Sequence, residues 1–267
     1  MSPSADPRTS LQLMFRGEFA VAFWGKLLLQ TGIWAQLMVC VILAFDRTGS
    51  AAWVGAVGAA QMVPQLGLAL VSGSMSDRYG PAKPISAGGL IVGLGCLGLA
   101  GWLNSSLTSS GSAVPILVSS IVIGVGIALS ASALQTVPPL LARPNELSAA
   151  VGLNFIPTTL ARTAGPVVGS LSTATLGYPT TLLIVSATST LTAAGFLRLR
   201  GLRGPTVGKG DHRGIGTVMR YVWADGRLLG LLGGVAAIGA ASEAPITLAP
   251  AMAAHLEMHG VGVGWIT

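Results

Sequence analysis

Residues 84–142 read PISAGGLIVGLGCLGLAGWLNSSLTSSGSAVPILVSSIVIGVGIALSASALQTVPPLLA, fifty-nine consecutive positions without a formal charge. A soluble domain cannot be built this way. About a quarter of the residues in soluble chains are charged, and they supply the hydrated surface. The stretch is long enough for two helices of about 20 apolar residues, each able to cross a bilayer. A second uncharged run, Thr163 to Leu197, adds thirty-five residues. In lipid the backbone must satisfy its own hydrogen bonds, so such runs fold as helices. The apolar–polar alternation of a membrane barrel strand is missing.

The rest of the chain follows the same rule. It has 267 residues, of which 9% are charged and 51% hydrophobic, with 37 glycines and a mean hydropathy of +0.71. Soluble enzymes, nucleic-acid binders and disulfide-stapled secreted domains are excluded. The net charge of +6 does not mark a nucleic-acid partner, because the basic residues sit between apolar segments rather than in a surface stripe. Cys40 and Cys96 lie inside apolar runs, which argues against a disulfide or a metal site. Zinc-protease, phosphate-loop and serine-hydrolase signatures are missing, and His212, His255 and His259 have no metal-site arrangement. The sequence therefore predicts neither an enzyme nor a cofactor.

Seven spans are predicted, near Glu18–Phe45, Ala51–Val71, Pro84–Leu103, Ala113–Val137, Leu147–Ala174, Thr180–Leu197 and Leu228–Leu256. An eighth begins near Val261. The first apolar stretch is too long for a signal-peptide core and lacks a convincing small-residue cleavage site, so it is read as an uncleaved span. Twelve of the fifteen basic residues fall in the N-terminus and the even-side loops, and the odd-side loops carry only Arg47. Basic residues stay cytoplasmic, which puts the N-terminus inside a plasma or inner membrane. The implied organisation is a cytoplasmic segment 1–17, a helical half 18–197, a basic cytoplasmic linker 198–227 and the beginning of a second half, 228–267. The Gly-rich linker LRLRGLRGPTVGKGDHRG reads as a solvated connector with an interfacial segment attached.

Two motifs carry a family resemblance. The turn after span two runs Gly73-Ser74-Met75-Ser76-Asp77-Arg78-Tyr79-Gly80-Pro81-Ala82-Lys83-Pro84-Ile85. Gly80 suits a tight turn, and Asp77 can cap the next helix or pair with a cation. Span five carries Gly152, Ala161, Gly165-Pro166 and Gly169-Ser170. Ala161, Gly165 and Gly169 recur every four residues and form a ridge that admits a neighbouring helix. Pro166 bends the span, and Pro157 offers a second bend. The first motif resembles the G-x-L-x-D-R-x-G-R-K-x-x-L signature of the major facilitator superfamily. It departs at Pro81 and Ala82, where the family has basic residues, with Lys83 one step later. The second resembles the family's antiporter motif, with Ala161 and Ser170 in place of glycine.

The resemblance implies an all-α polytopic bundle, a complete N-terminal six-helix half followed by the first one to two helices of the second half. It implies that Gly73, Asp77, Arg78, Gly80 and Lys83 form a gating loop, and that Gly152, Ala161, Gly165, Pro166 and Gly169 mark an exporter. Thr48-Gly49-Ser50, the Leu153-Asn154 run and Arg220-Tyr221-Val222 are similar to the branch of enterobactin exporters and macrolide or multidrug efflux pumps. The family's membrane-embedded Arg of span four is replaced by Ser120, so no proton-relay role follows there. The implied activity is proton-coupled efflux of small amphiphilic molecules. A siderophore is the alternative substrate, and a non-transporting membrane partner or sensor the alternative class. Lipids, a small-molecule substrate and protons are the implied partners.

The embedded polar residues nominate a path. Arg162 lies mid-span, where burial costs about 2.5–3.5 kcal/mol even on lenient scales. It serves either as a substrate or gate contact or as a structural cation held by carbonyls or a carboxylate. Lys26, Gln30 and Trp34 share one face of span one. They either line a cavity suited to an amphiphilic anion, or Lys26 snorkels to the interface, which its depth favours. Asn154, Gln61 and Gln135 read as interhelical glue. Glu243, beside Pro245 in span seven, is the candidate proton site, a hydrogen bond to a neighbouring helix being the alternative.

A twelve-helix transporter of two halves needs about 400 residues. The sequence reading therefore expects this chain to lack most of a second half, or to need a partner chain, and not to transport alone. Intact-mass measurement of the polypeptide extracted from its own membranes checks this. A mass well above 26.9 kDa is expected, and a mass at that value would favour a seven-helix protein that works with a partner.

Overall fold

The computed structural model describes residues 10–15, 17–105, 112–199, 202, 220, 223–231 and 233–234. Glu243, the three histidines, most of the basic linker, most of span seven and the start of span eight lie outside the described residues. The helices are α1 (Ser10–Phe15), α2 (Gly17–Thr48), α3 (Ala51–Tyr79), α4 (Ala82–Leu103), α5 (Val114–Leu141), α6 (Leu147–Leu176) and α7 (Tyr178–Arg198). A 3-10 turn over Pro144–Glu146 leads into α6. The chain is a multi-pass helical membrane protein. Among the described residues α2, α4, α5 and α7 are long and apolar enough to cross a bilayer, and α3 is a fifth if its two parts, bent by 54°, count as one span. α6 is thirty residues long but breaks its apolar pattern with Asn154, Arg162 and several Ser and Thr.

Helix ends follow local chemistry. Gly49, Gly80 and Gly177 have φ of 61°, 78° and 81°, the left-handed backbone that favours glycine. Each amide closes the helix before it, donating to Phe45, Ser76 and Thr173 respectively. Pro115 and Pro179 enter at the first turns of α5 and α7, where no amide hydrogen is needed. Further along, Asp225 Oδ1 accepts from the amide of Arg227 at 3.0 Å, capping the helical residues 226–231 where span seven was expected to begin.

One expectation needs correction. Residues 73–79 were read as a turn, but α3 continues to Tyr79, and only Gly80 and Pro81 separate it from α4. The apolar pattern ends near Val71 because the membrane ends there, whereas the helix ends where Gly80 reverses the backbone. Asp77 caps nothing: the residue preceding α4 is Pro81, and no side chain caps that helix.

Between helices, lipid offers no hydrophobic gain, so association rests on close packing and hydrogen bonds. α3 packs mainly on α5, α4 lies between α5 and α7, and α2 packs on α6 and α7. Glycines set the approach. A Cβ placed on Gly126 would sit 2.6 Å from the Gly88 carbonyl oxygen, and one on Gly88 would overlap the Gly126 carbonyl. A Cβ on Gly124 would strike the Gln61 carbonyl of α3. Serines tie the same seams: Ser86 Oγ donates to Ala193 O at 2.7 Å, Ser186 Oγ to Gly93 O at 2.8 Å, Ser119 Oγ to Gly95 O at 3.0 Å and Ser72 Oγ to Leu129 O at 2.8 Å.

Gly126→Val is expected to lose about 1–3 kcal/mol through overpacking, while Gly101→Val, with nothing within 4 Å of its Cβ position, should change little. Thermal unfolding followed by labelling of the buried, free thiols of Cys40 and Cys96 reads both. Equal melting of the two variants would refute the backbone seam.

Candidate functional site

α2, α3, α5 and α6 enclose a cavity of about 250 Å³. α2 contributes Gln30, Ile33, Trp34 and Leu37, and α3 contributes Gly58, Gln61, Met62 and Gln65. Ile127, Ser130, Ala131 and Leu134 come from α5, and Thr158 from α6. The wall is apolar with a few amides and hydroxyls, the usual make-up of a small-molecule site. Gln61 is buried, and among the described residues its Oε1 accepts no hydrogen bond. Gln65 sits one turn further along α3 and donates to the Gln61 carbonyl at 3.1 Å. A buried acceptor without a donor is costly, and this one borders the cavity.

The structure divides the predicted face of α2. Gln30 and Trp34 reach the cavity, but Lys26 does not. It lines a smaller apolar recess with Phe19, Phe23, Pro157 and Phe196, sharing only Leu134 with the larger space. The drift of a 3.6-residue helix accounts for this: residues 26 and 34 differ by about 80° in direction at 100° per residue. Lys26 also does not snorkel. It is only 4% exposed, and its Nζ donates to Asn154 Oδ1 at 2.7 Å and Asn154 O at 3.0 Å. The Asn154 amide in turn donates to Gln135 Oε1 at 2.8 Å. Lys26, Asn154 and Gln135 thus form one polar chain across α2, α6 and α5.

Arg162, two turns beyond Asn154 on α6, places its guanidinium 5.4 Å from the centre of the Trp34 ring. Stacking of this kind stabilises a cation on an aromatic face. It brings Arg162 to the cavity wall through Trp34.

The small-residue ridge of α6 meets α2. Ala161 is fully buried. A Cβ on Gly165 would overlap Trp34 Cβ, and one on Gly169 would lie 2.5 Å from Ala35 O. Pro166 and Ser170 are buried beside them. Gly152 is not part of this contact, for nothing lies within 4 Å of its Cβ position. It lies nine residues before Ala161, about 180° around α6 at 100° per residue, so it is exposed while its neighbours Leu153 and Asn154 meet α2.

At the α3–α4 connection, Arg78 lies 5.8 Å and Lys83 5.3 Å from the centre of the Tyr79 ring. Lys83 therefore delivers its cation to the same ring as Arg78 despite its displaced position. Pro81 and Ala82 are buried in the turn, Asp77 is exposed, and a Cβ on Gly73 would meet nothing within 4 Å.

Met62, Gln65, Ser130 and Thr158 were not singled out from the sequence. The pair Gln61 and Gln65, four residues apart in an apolar helix, is the signal that could have found this wall.

A family model described as Major Facilitator Superfamily matches residues 21–267. Among solved structures, the fold is similar to a POT family transporter in complex with a thioalcohol-conjugated peptide, at 15% identity and a TM-score of 0.54, covering 90% of this chain and 53% of that one. It is also similar to a POT family transporter in complex with 5-aminolevulinic acid, at 16% identity and a TM-score of 0.52, covering 92% and 51%. The chain thus spans about half the length of these structures. No curated protein matches it.

The polar chain makes a specific demand. Asn154→Leu takes the side-chain acceptor from a buried amine, leaving it only the backbone carbonyl of residue 154, and should cost about 1–3 kcal/mol. The double variant Lys26→Met with Asn154→Leu should recover most of that loss in thermal unfolding. A double variant no more stable than Asn154→Leu would refute the coupling.

Proposed function

The chain belongs to the Major Facilitator Superfamily, and from that premise we propose that it serves as a secondary active exporter of small amphiphilic molecules, coupled to protons. The observation that carries this reading is the cavity between α2, α3, α5 and α6, with its mostly apolar wall and the Gln61 side-chain Oε1, which has no donor among the described residues. An amphiphile fits such a wall: its apolar body covers Ile33, Leu37, Met62 and Ile127, and a donor on it meets Gln61. Trp34 offers a ring face already polarised by Arg162.

Transport follows by alternating access. Helical halves rock about a site near the midplane and expose it to one side at a time. The tight crossing of α6 on α2 at Gly165 and Gly169 supports motion of these helices as one body. The exposed end of α3 with Asp77, and with Arg78 and Lys83 on Tyr79, is assigned the latch that holds one facing state. Its charges lie on the cytoplasmic side, with the N-terminus. Export direction rests on the span-five glycine pattern. Proton coupling is assigned to Glu243, the acidic residue within the apolar seventh segment.

Everted membrane vesicles from cells that make the protein test the reading. Energised vesicles should accumulate a fluorescent amphiphile above the level of vesicles lacking the protein, and a protonophore should abolish the excess. Gln61→Leu and Gly169→Val should each reduce it about tenfold. Accumulation that ignores the protonophore would refute proton coupling, and none for any amphiphile would refute export.

A further inference from the structure

On the side of the bundle away from the Asp77–Lys83 turn, α4 and α5 leave an open groove of about 450 Å³. Its walls are Leu94 and Trp102 of α4 and Val114 and Val118 of α5, and the valines and Leu94 are more than half exposed. Gly98 recesses the floor, since nothing lies within 4 Å of its Cβ position. The groove therefore faces outward from the bundle at a depth where the surroundings are hydrocarbon.

One wall residue is in contact with a cation. The Trp102 ring that ends the wall carries the Arg47 guanidinium, 5.6 Å from the ring centre. Arg47 lies in the last turn of α2, where a cation suits the free carbonyls of a helix end. The adjacent Asp46 accepts a hydrogen bond from the Tyr178 hydroxyl, at the start of α7. These contacts bring the ends of α2, α4 and α7 to one level. Among the described residues that join the helices on this side, 46–50, 104–105, 112–113 and 177–179, Asp46 and Arg47 are the only formal charges. Tryptophan at this level is characteristic of the headgroup zone.

We infer that the α4–α5 groove binds one phospholipid with an anionic headgroup. An acyl chain lies along Leu94, Gly98 and Val118, and the phosphate meets Arg47 beside Trp102. The guanidinium has five N–H donors in a planar fork, enough to engage a phosphate bidentately while keeping contacts within the protein. A choline or ethanolamine head would return a cation to the same place, so an anionic head is favoured. The site stands apart from the proposed transport cavity and does not depend on that function.

The test uses the full chain in bilayer discs of phosphatidylcholine with a minor share of phosphatidylglycerol, with retained lipid counted by native mass spectrometry. The wild type should retain phosphatidylglycerol selectively. Arg47→Gln should lower retention about fivefold, the effect of one basic residue at an anionic surface, and Arg47→Lys should lower it less. Val118→Trp, which fills the groove and leaves the charge in place, should also lower retention. Glycerophosphoglycerol, the head without acyl chains, should not displace the lipid. Three results would overturn the site: equal retention by wild type and Arg47→Gln, equal retention by Val118→Trp, or an equal loss in Arg78→Gln on the opposite side. Continued protection of Cys40 and Cys96 from labelling confirms folding, and if Arg47→Gln loses it, Arg47→Lys and Val118→Trp decide.

Discussion

Backbone meeting backbone at glycine is the constraint on which the rest of this bundle depends. A lipid solvent gives helices little reason to associate through apolar area, so contact must come from close approach. α5 shows how much follows from it. Gly124 sets it against α3 at Gln61, and Gly126, two residues later and on another face, sets it against α4 at Gly88. With both neighbours fixed, the next turns of α5 deliver Ile127, Ser130 and Leu134 to the cavity. The opposite wall depends on the same kind of contact, at Gly165 and Gly169 of α6 against Trp34 and Ala35 of α2. The cavity is the space left between seams that cannot widen without losing contact.

The extent of most helices was legible from the sequence, α3 being the exception. The third span, expected over Pro84–Leu103, is Ala82–Leu103, because lipid demands an apolar run and the run is written in the residues. Rotation about the helix axis was less legible. Lys26 and Trp34 were assigned to one face, yet they end in different spaces, since hydropathy says nothing of azimuth in a helix apolar all round. The ridge of Ala161, Gly165 and Gly169 was legible because small residues at every fourth position define an azimuth by themselves. Gly152 matched the motif's spacing, but nine residues from Ala161 is half a rotation away, so it lies on the opposite face of α6 from that ridge.

Embedded polar groups divide into two kinds. Lys26, Asn154 and Gln135 satisfy one another across three helices, so their polarity serves the bundle. Gln61 is as buried as Lys26, yet its Oε1 has no donor among the described residues. Composition alone could not separate them, since all were amides or amines in apolar surroundings. The hydrogen bonds draw the line between a polar residue that joins helices and one that faces a cavity.

The uncharged run of residues 84–142 has a consequence for biogenesis. Topology in membranes is decided by basic residues near segment ends, and between Lys83 and Arg143 there are none. Neither α4 nor α5 carries an orienting signal of its own at the connection between them. The two must enter the bilayer as a hairpin, with both outer ends retained on one side by Lys83 and Arg143. The Gly88–Gly126 contact pairs these two helices, so a unit of translocation coincides with a unit of packing. The least charged part of the chain can thus insert as an already matched pair.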